Sequence, residues 1–556
     1  FVQTGLSQDF SLSGKVINFE GKPISGATVE LKKAGKSTTT ADDGSFTLSS
    51  KSPIINGVSS RFGRPNFAVL NDNHLEIRLF ESSPVSISVF SIGGKTLYHK
   101  KTLFNAGIHA VSIPVTGQGV YVLRVKGGGQ EVTFKTCSFE ADVLGRSLAV
   151  KDYSARTLTK QASVTEFYDI LKASNTGYLD YQTEIIKTEV SDLVLRMAKS
   201  DFPKVTKGSV KKSPTKIVHS SSILELEDGT LLCAFYGGSK EGAKDVQEWV
   251  TRKPVDGEWS NPVAVANGTH EGGKWTCNNP VLFQSRGGDV MLFYHPVNGW
   301  HWTGRYKTSS DGGITWSEMK NFGDDKYIGP VKNKPVQLED GTIISGSSTE
   351  DNKGGASWRV HVERSTDGGK TWERLSQLGP NNIGAIQPTL MVYPPGRKIQ
   401  MMCRTHHETH NRISEAWSED GGKTWTDLTY SVLPNNNSGL DAVTLHDGTQ
   451  LLAYNHTTRN QGGMGSKARG FLTIAVSKNG KDWSAALILY HTSGGRYSYP
   501  AVIQASNGLV HVTSTRSRGL IMHSVINPAL LTETVPMPDG KWPQDGPLSL
   551  KQFKGL

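Results

Sequence analysis

Six times between about residue 214 and 530 a short apolar run leads into a glycine turn and out through a second apolar run. The runs are LELEDGTLLCAF at Gly229, LFQSRGGDVMLF at Gly288, PVQLEDGTIISG at Gly341, LMVYPPGRKIQMM at Gly396, VTLHDGTQLLAY at Gly448 and VIQASNGLVHVT at Gly508. Short apolar runs joined by such turns predict β-hairpins. The six glycines stand 59, 53, 55, 52 and 60 residues apart. A second marker keeps the same period: SSDGGITW, STDGGKTW, SEDGGKTW and SKNGKDW end at Trp316, Trp372, Trp425 and Trp483, and a degenerate VDGEW ends at Trp259. A strand-and-turn repeat of this length forms one small sheet that buries its faces only by stacking on its neighbours, which predicts a six-bladed β-propeller over 214–530.

Upstream the pattern changes. Residues 12–50 alternate apolar and polar positions between G-K-P and D-D-G turns, the signature of a small antiparallel β-sandwich. This stretch resembles a carboxypeptidase regulatory-like domain, assigned to 1–55. Residues 66–137, with VSISVFSIGGKTLYHK and GVYVLRVKGG, resemble the sorting domain of type IX secreted bacterial proteins, here in an internal position. Further strand-like sequence at 165–200 extends the accessory β region to 56–200. The basic segment between Pro203 and Pro214 reads as a linker, 201–213, and 531–556 as a C-terminal tail. The fold class is therefore all-β, a propeller preceded by small sandwich modules.

The net charge is +10, but residues 1–213 carry 27 Lys and Arg against 19 Asp and Glu, so most of the excess is scattered over the accessory modules. Without arginine–aromatic interleaving this is a solvated surface, and a nucleic-acid partner is not expected. Four cysteines in 556 residues form no disulfide framework and no C-x-x-C zinc pattern. No apolar run is long enough for a spanning helix. Nucleotide, dinucleotide, zinc-protease and calcium-loop motifs do not occur, so neither a cofactor nor a metal is expected. A chain beginning at Phe1 fits processing from a longer precursor, and the accessory modules point to a secreted or cell-surface protein of bacterial type.

The S-x-D-x-G-x-T-W signature is similar to the Asp box of the sialidase superfamily, and the resemblance covers roughly 214–530. Its aspartates, Asp311, Asp367 and Asp420, are structural: each carboxylate accepts backbone N–H bonds in a hairpin turn while the Trp packs between blades. The resemblance implies an arginine clamp for an acidic sugar and a reactive tyrosine. Arg404 in MMCRTHH and Arg469 in ARGFLTIAVS match the second and third arginines, and Tyr497 in RYSYP the tyrosine opening the last blade. His219 stands where the family has its first arginine, and Gln387 where an assisting glutamate is expected. In the loop YGGSKEGAKD, Glu241 or Asp245 would supply the acid.

The residues carry this chemistry on their own terms. A phenol needs a base or nearby cations to become a nucleophile, a carboxylic acid can protonate a leaving glycosidic oxygen, and paired guanidiniums grip a carboxylate. His219 would tune pH dependence, since histidine ordinarily titrates between about pH 5 and 8. Asn278, Asn279, Lys334, Asp441, His456, Trp302 and Tyr499, near strand beginnings or ends, are candidate sugar contacts. The leading expectation is an exo-acting glycoside hydrolase removing a terminal acidic sugar other than common sialic acid. Two alternatives are a polysaccharide lyase acting on a uronate and a non-catalytic carbohydrate-binding propeller.

Overall fold

A computed structural model describes residues 9–50, 68–71, 74–79, 83–91, 95–104, 107–112, 121–127, 130–136, 168–270, 272–322, 327–351, 357–380, 382–406, 410–458, 469–492 and 495–549. The chain divides into two compact units, 53–165 and the rest.

The larger unit holds the propeller. Blade one is built from Ile217–Glu225, Leu231–Gly238, Gln247–Lys253 and Val263–Asn267, hydrogen-bonded in that order, and the same up-and-down plan repeats to blade six. The repeat glycines sit in the turns between first and second strands, and five of the six have positive φ, where a side chain would be strained. Each repeat Trp packs against the preceding blade. Trp316 joins Leu226, Leu232 and Val290 between blades one and two, and Trp483 joins Met391, Met402 and Leu452 between four and five. The Asp boxes fold as local turns: Asp311 Oδ1 accepts from Thr315 N at 2.9 Å and Ser309 Oγ at 2.7 Å. The Thr315 hydroxyl, then its backbone N–H, hold the Asp311 carboxyl well below the usual carboxylate range.

Three segment boundaries differ from those read in the sequence. The presumed linker is a strand: Val205–Ser209 pairs antiparallel with Leu520–Ile526 and supplies the fourth strand of blade six, so chain from before blade one closes the ring. The tail is likewise structural. Val535–Pro536 adds a fifth strand to blade five, and Met537, Trp542 and Leu548 enter its core; 550–556 lie outside the described residues. Third, the first sandwich does not end at residue 55. Its strand Ser11–Asn18 runs parallel to Glu189–Met197, and Thr28–Leu31 pairs with Asp169–Ser174, so 169–197 complete the module around Leu12, Val29, Leu171 and Leu195.

The second unit, 53–165, is thus inserted within that sandwich. By itself it holds a four-stranded sheet, Gln130–Thr136, Tyr121–Gly127, Ser83–Ser91, Thr96–Phe104, and a three-stranded sheet, with Leu75, Ile77, Val85, Val89 and Leu123 buried.

The completed sandwich docks on the glycine-turn end of the propeller. Arg286 Nε bonds Glu184 at 2.6 Å and Gln182 N bonds Ser506 O at 2.8 Å. The opposite end, where the inner strands begin, is left for the site. Near the axis one carboxylate ties four blades: Asp441 Oδ2 meets Lys334 Nζ at 3.0 Å and Val502 N at 2.8 Å, while Oδ1 accepts from Thr389 Oγ1 at 2.8 Å and Ala442 N at 3.0 Å. Removing one partner of a buried ion pair costs about 3–5 kcal/mol. Asp441→Ala should therefore lose about that much stability in urea unfolding; a loss below about 1 kcal/mol would show the tie to be redundant.

Candidate active site

Each inner strand must turn one side chain toward the propeller axis, and regular strands cannot do this with a period of two. The chain solves it with a bulge. Pairing between first and second strands slips between His219 and Ser222, Asn278 and Val281, Ile386 and Thr389, and Ser498 and Ala501. Within each slip lies a non-glycine residue with left-handed backbone: Ser220 (φ 52°), Asn279 (φ 51°), Gln387 (φ 55°) and Tyr499 (φ 54°); Lys332 (φ 71°) is its counterpart in blade three. Three of these bulges continue into Pro280, Pro388 and Pro500, which need no ladder hydrogen bond. In blade five the position is Gly439, whose missing side chain would touch Gln387, Lys332 and Tyr499. Strain of this kind costs about 1–3 kcal/mol per residue and gathers at functional sites.

Five of the residues expected from sequence meet here. Arg404 Nη1 donates to Tyr499 Oη at 2.8 Å and to Gln387 Oε1 at 3.3 Å, and its Nε donates to Asn437 Oδ1 at 2.7 Å. Arg469 Nη2 donates to Asn437 O at 2.9 Å, and its guanidinium lies 5.7 Å from the Tyr499 ring centre. The His219 ring packs 4.4 Å from that of Tyr499. Trp358 forms a wall, with Arg404 5.4 Å over its ring. Asn279 belongs to the same ring of bulges, accepting from Ser220 Oγ at 3.0 Å. Glu241 reaches the group at second hand: it accepts from Tyr236 Oη at 2.9 Å and pairs with Arg518, and Tyr236 packs edge-on against His219.

Other expectations are corrected. Tyr497 is not the central phenol. It stacks face to face on Tyr490 at 4.1 Å within the core between blades five and six, and the bulge at Tyr499 hands the central position to the residue two places on. Asp245 clasps its own loop, accepting from Ser239 N at 3.0 Å and Oγ at 2.8 Å. Lys334 and Asp441 are committed to the axial tie. His456 is a core histidine under the C-terminal segment, bonded to Tyr454 and edge-on to Trp542, with burial pushing its pKa down to about 3. Trp302 sits on blade two beside His295, 5.7 Å between rings, and Asn278 Oδ1 is buried without a hydrogen-bond partner among the described residues. Neither joins the Tyr499 group through a described contact.

His219 also departs from its expected role as a titrating group. Burial first, then Arg469, Arg518, Arg496 and Arg404, hold its pKa well below 6.5, which favours the neutral imidazole. Its Nδ1 has no protein partner among the described residues.

Sequence reading passed over two groups. Lys332 is buried, its ammonium held by Asn333 Oδ1 at 2.8 Å, Leu440 O at 2.9 Å and Pro500 O, so it fixes the backbone next to Tyr499. Burial brings its pKa down to about 7, against the opposing charge of Asp441. Glu350 follows the second strand of blade three and lies within reach of the Arg404 charge; burial raises its pKa. The signal was its spacing: Glu350 stands nine residues after Gly341, and Arg404 eight after Gly396.

The model of the BNR repeat-like domain matches residues 229–512. No curated protein matches the chain. Among solved structures it is similar to the alpha-L-arabinanase of Penicillium chrysogenum complexed with arabinobiose, at 15% identity and TM-score 0.44 over 60% of this chain and 100% of that one. It is similar also to the NanB sialidase of Streptococcus pneumoniae, at 11% and 0.45 over 80% and 95%. A third is the intramolecular trans-sialidase of Ruminococcus gnavus, at 14% and 0.45 over 58% and 97%. The family match spans just over half of the chain and takes in all six glycine turns and all three full Asp-box signatures, so the chain belongs to the BNR repeat-like domain family.

Proposed function

We propose that this protein is an exo-acting glycoside hydrolase that removes a terminal acidic sugar, acting outside the cell or at its surface. The observation that carries the reading is the hydrogen bond from Arg404 to Tyr499 Oη, in a site where Arg469 lies over the same ring. A guanidinium donating to a phenol oxygen favours negative charge on that oxygen, and two arginines side by side suit a sugar carboxylate. Arg404 Nη2 has no partner among the described residues. The tyrosine then attacks the anomeric carbon as the bond to the leaving oxygen breaks, with the phenolic proton passing to neutral His219. Glu350 protonates the leaving oxygen; water later cleaves the tyrosyl–sugar bond and gives a proton to the Glu350 carboxylate, while His219 returns its proton to the departing Tyr499 phenolate. Glu350 suits the acid role better than Glu241, which is engaged with Arg518, because burial keeps its proton at higher pH.

One observation favours a second reading. A neutral histidine with a free Nδ1 beside Tyr499, Gln387 and Arg404 is also an arrangement for removing the proton next to a uronate carboxylate, which is lyase chemistry. A panel of acidic glycans followed by both reducing-end release and the ultraviolet absorbance of an unsaturated uronate separates the two. The hydrolase reading expects the first without the second, and no turnover on any member would favour a binding module.

On a turned-over glycan, Arg404→Ala should lose about 2–5 kcal/mol of transition-state stabilisation, roughly 30- to several-thousand-fold in kcat/KM. Tyr499→Phe should abolish the chemical step while Tyr497→Phe retains most of kcat; the reverse order would restore Tyr497 to the centre. For pH, burial lets Glu350 keep its proton to higher pH than an exposed carboxylic acid, so activity should fall on the alkaline side as that proton is lost, and Glu350→Gln should remove that limb. His219→Gln should lower kcat without moving either limb between pH 5 and 8.

A further inference from the structure

The arginines around Tyr499 form two pairs. Arg404 and Arg469 share Asn437 and face the tyrosine ring, as described. Arg496 and Arg518 lie at the seam of blades six and one, and their backbone is fixed there. Ser517 N bonds Arg496 O at 2.8 Å, Arg496 N bonds Ser517 Oγ at 3.2 Å, and Val218 N bonds Arg518 O at 2.8 Å. The turn that carries Arg518 is strained, with left-handed backbone at both Ser517 (φ 48°) and Arg518 (φ 58°).

Four guanidiniums gathered in one place repel one another. Arg469, already disfavoured by burial, is held to a pKa of about 10 with Arg404, Arg496 and Arg518 all contributing, and Arg518 likewise lowers that of Arg496. Against them stands, among the described residues, one ion-paired carboxylate, Glu241 on Arg518. Arg496 makes no ion pair among the described residues. The Glu241–Arg518 pair is about 40% exposed on each side, and such pairs contribute only about 0–1 kcal/mol, so another anion can replace the glutamate at little cost. The pair is linked to the centre through Tyr236 and His219, which places it to the side of the sugar gripped at Tyr499.

We infer that Arg496 and Arg518 form a second oxyanion subsite, which takes a sulfate ester or carboxylate on the sugar next to the one removed, with Glu241 as its exchangeable occupant in the free protein. The inference rests on the proposed acidic-sugar reading and narrows the substrate to glycans bearing anionic groups on two neighbouring residues.

Sulfate and acetate serve as probes on the full chain, by crystal soaking and by titration calorimetry, with thermal unfolding to show that each variant folds. Sulfate should occupy both arginine pairs. Arg518→Gln should empty the seam and leave the Arg404–Arg469 position filled. Glu241→Gln should tighten the seam site by at least about 3-fold, which a merely structural glutamate would not do. Tighter binding of sulfate than acetate at the seam assigns a sulfate ester, and the reverse a carboxylate. Occupation of Arg404 and Arg469 with nothing at Arg496 and Arg518, or no tightening in Glu241→Gln, overturns the subsite. Occupation of the seam alone supports it and overturns the carboxylate clamp instead.

Discussion

The site depends on the break in pairing at the start of the inner strands. A strand presents alternate residues to opposite faces, so a blade that kept perfect register would turn its inner residues toward its neighbours and leave the axis lined by backbone. By setting two residues, one of them left-handed, opposite a single residue of the second strand, the chain swings Ser220, Asn279, Gln387 and Tyr499 inward at the same level in four blades. Lys332 and Gly439 complete the ring. The strain is held in place by rigid stacked sheets and by contacts that cross between them, such as Asn333 Nδ2 to Gln387 O at 2.9 Å and Ser220 N to Thr515 Oγ1 at 3.2 Å.

Charge is divided along the axis. Toward the docked sandwich the cationic groups are neutralised: Lys334 by Asp441, Arg286 by Glu184. At the open end, among the described residues, Arg518 pairs with Glu241 while Arg404, Arg469 and Arg496 make no ion pair. Lys332 sits between these regions with its three N–H donors all engaged, and pins Pro500 next to the central tyrosine. The ordering is consistent with a scaffold whose electrostatic cost is concentrated where an anion would relieve it.

The accessory segments are also less separable than their sequence suggests. The strand Val205–Ser209 closes the propeller, and the strands after 168 complete a sandwich begun before residue 50. A cut at either place would leave an unpaired strand edge and an open core, so the propeller together with the sandwich behaves as one compact unit, with 53–165 inserted into it.

The repeat was legible in the sequence because its markers are local. A glycine turn needs φ above zero at one residue, and an Asp box satisfies its own turn within five residues, so spacing alone gave six blades and separated Asp311, Asp367 and Asp420 from chemistry. Arg404, Arg469, Gln387 and His219 were legible too, through the sialidase-superfamily resemblance that those markers anchor. Tyr497 misled because a period of two puts it on the same face as Tyr499. Only the bulge, marked in sequence by a proline inside an inner strand, decides which of the two faces the axis. His456, Lys334 and Asp441 looked like ligand contacts because polar residues near strand ends look alike until their partners are known, and those partners come from blades tens of residues away. Whether a histidine titrates, a lysine is buried or a glutamate keeps its proton depends on desolvation and on charges from several blades together, and these are properties that exist only once the ring has closed.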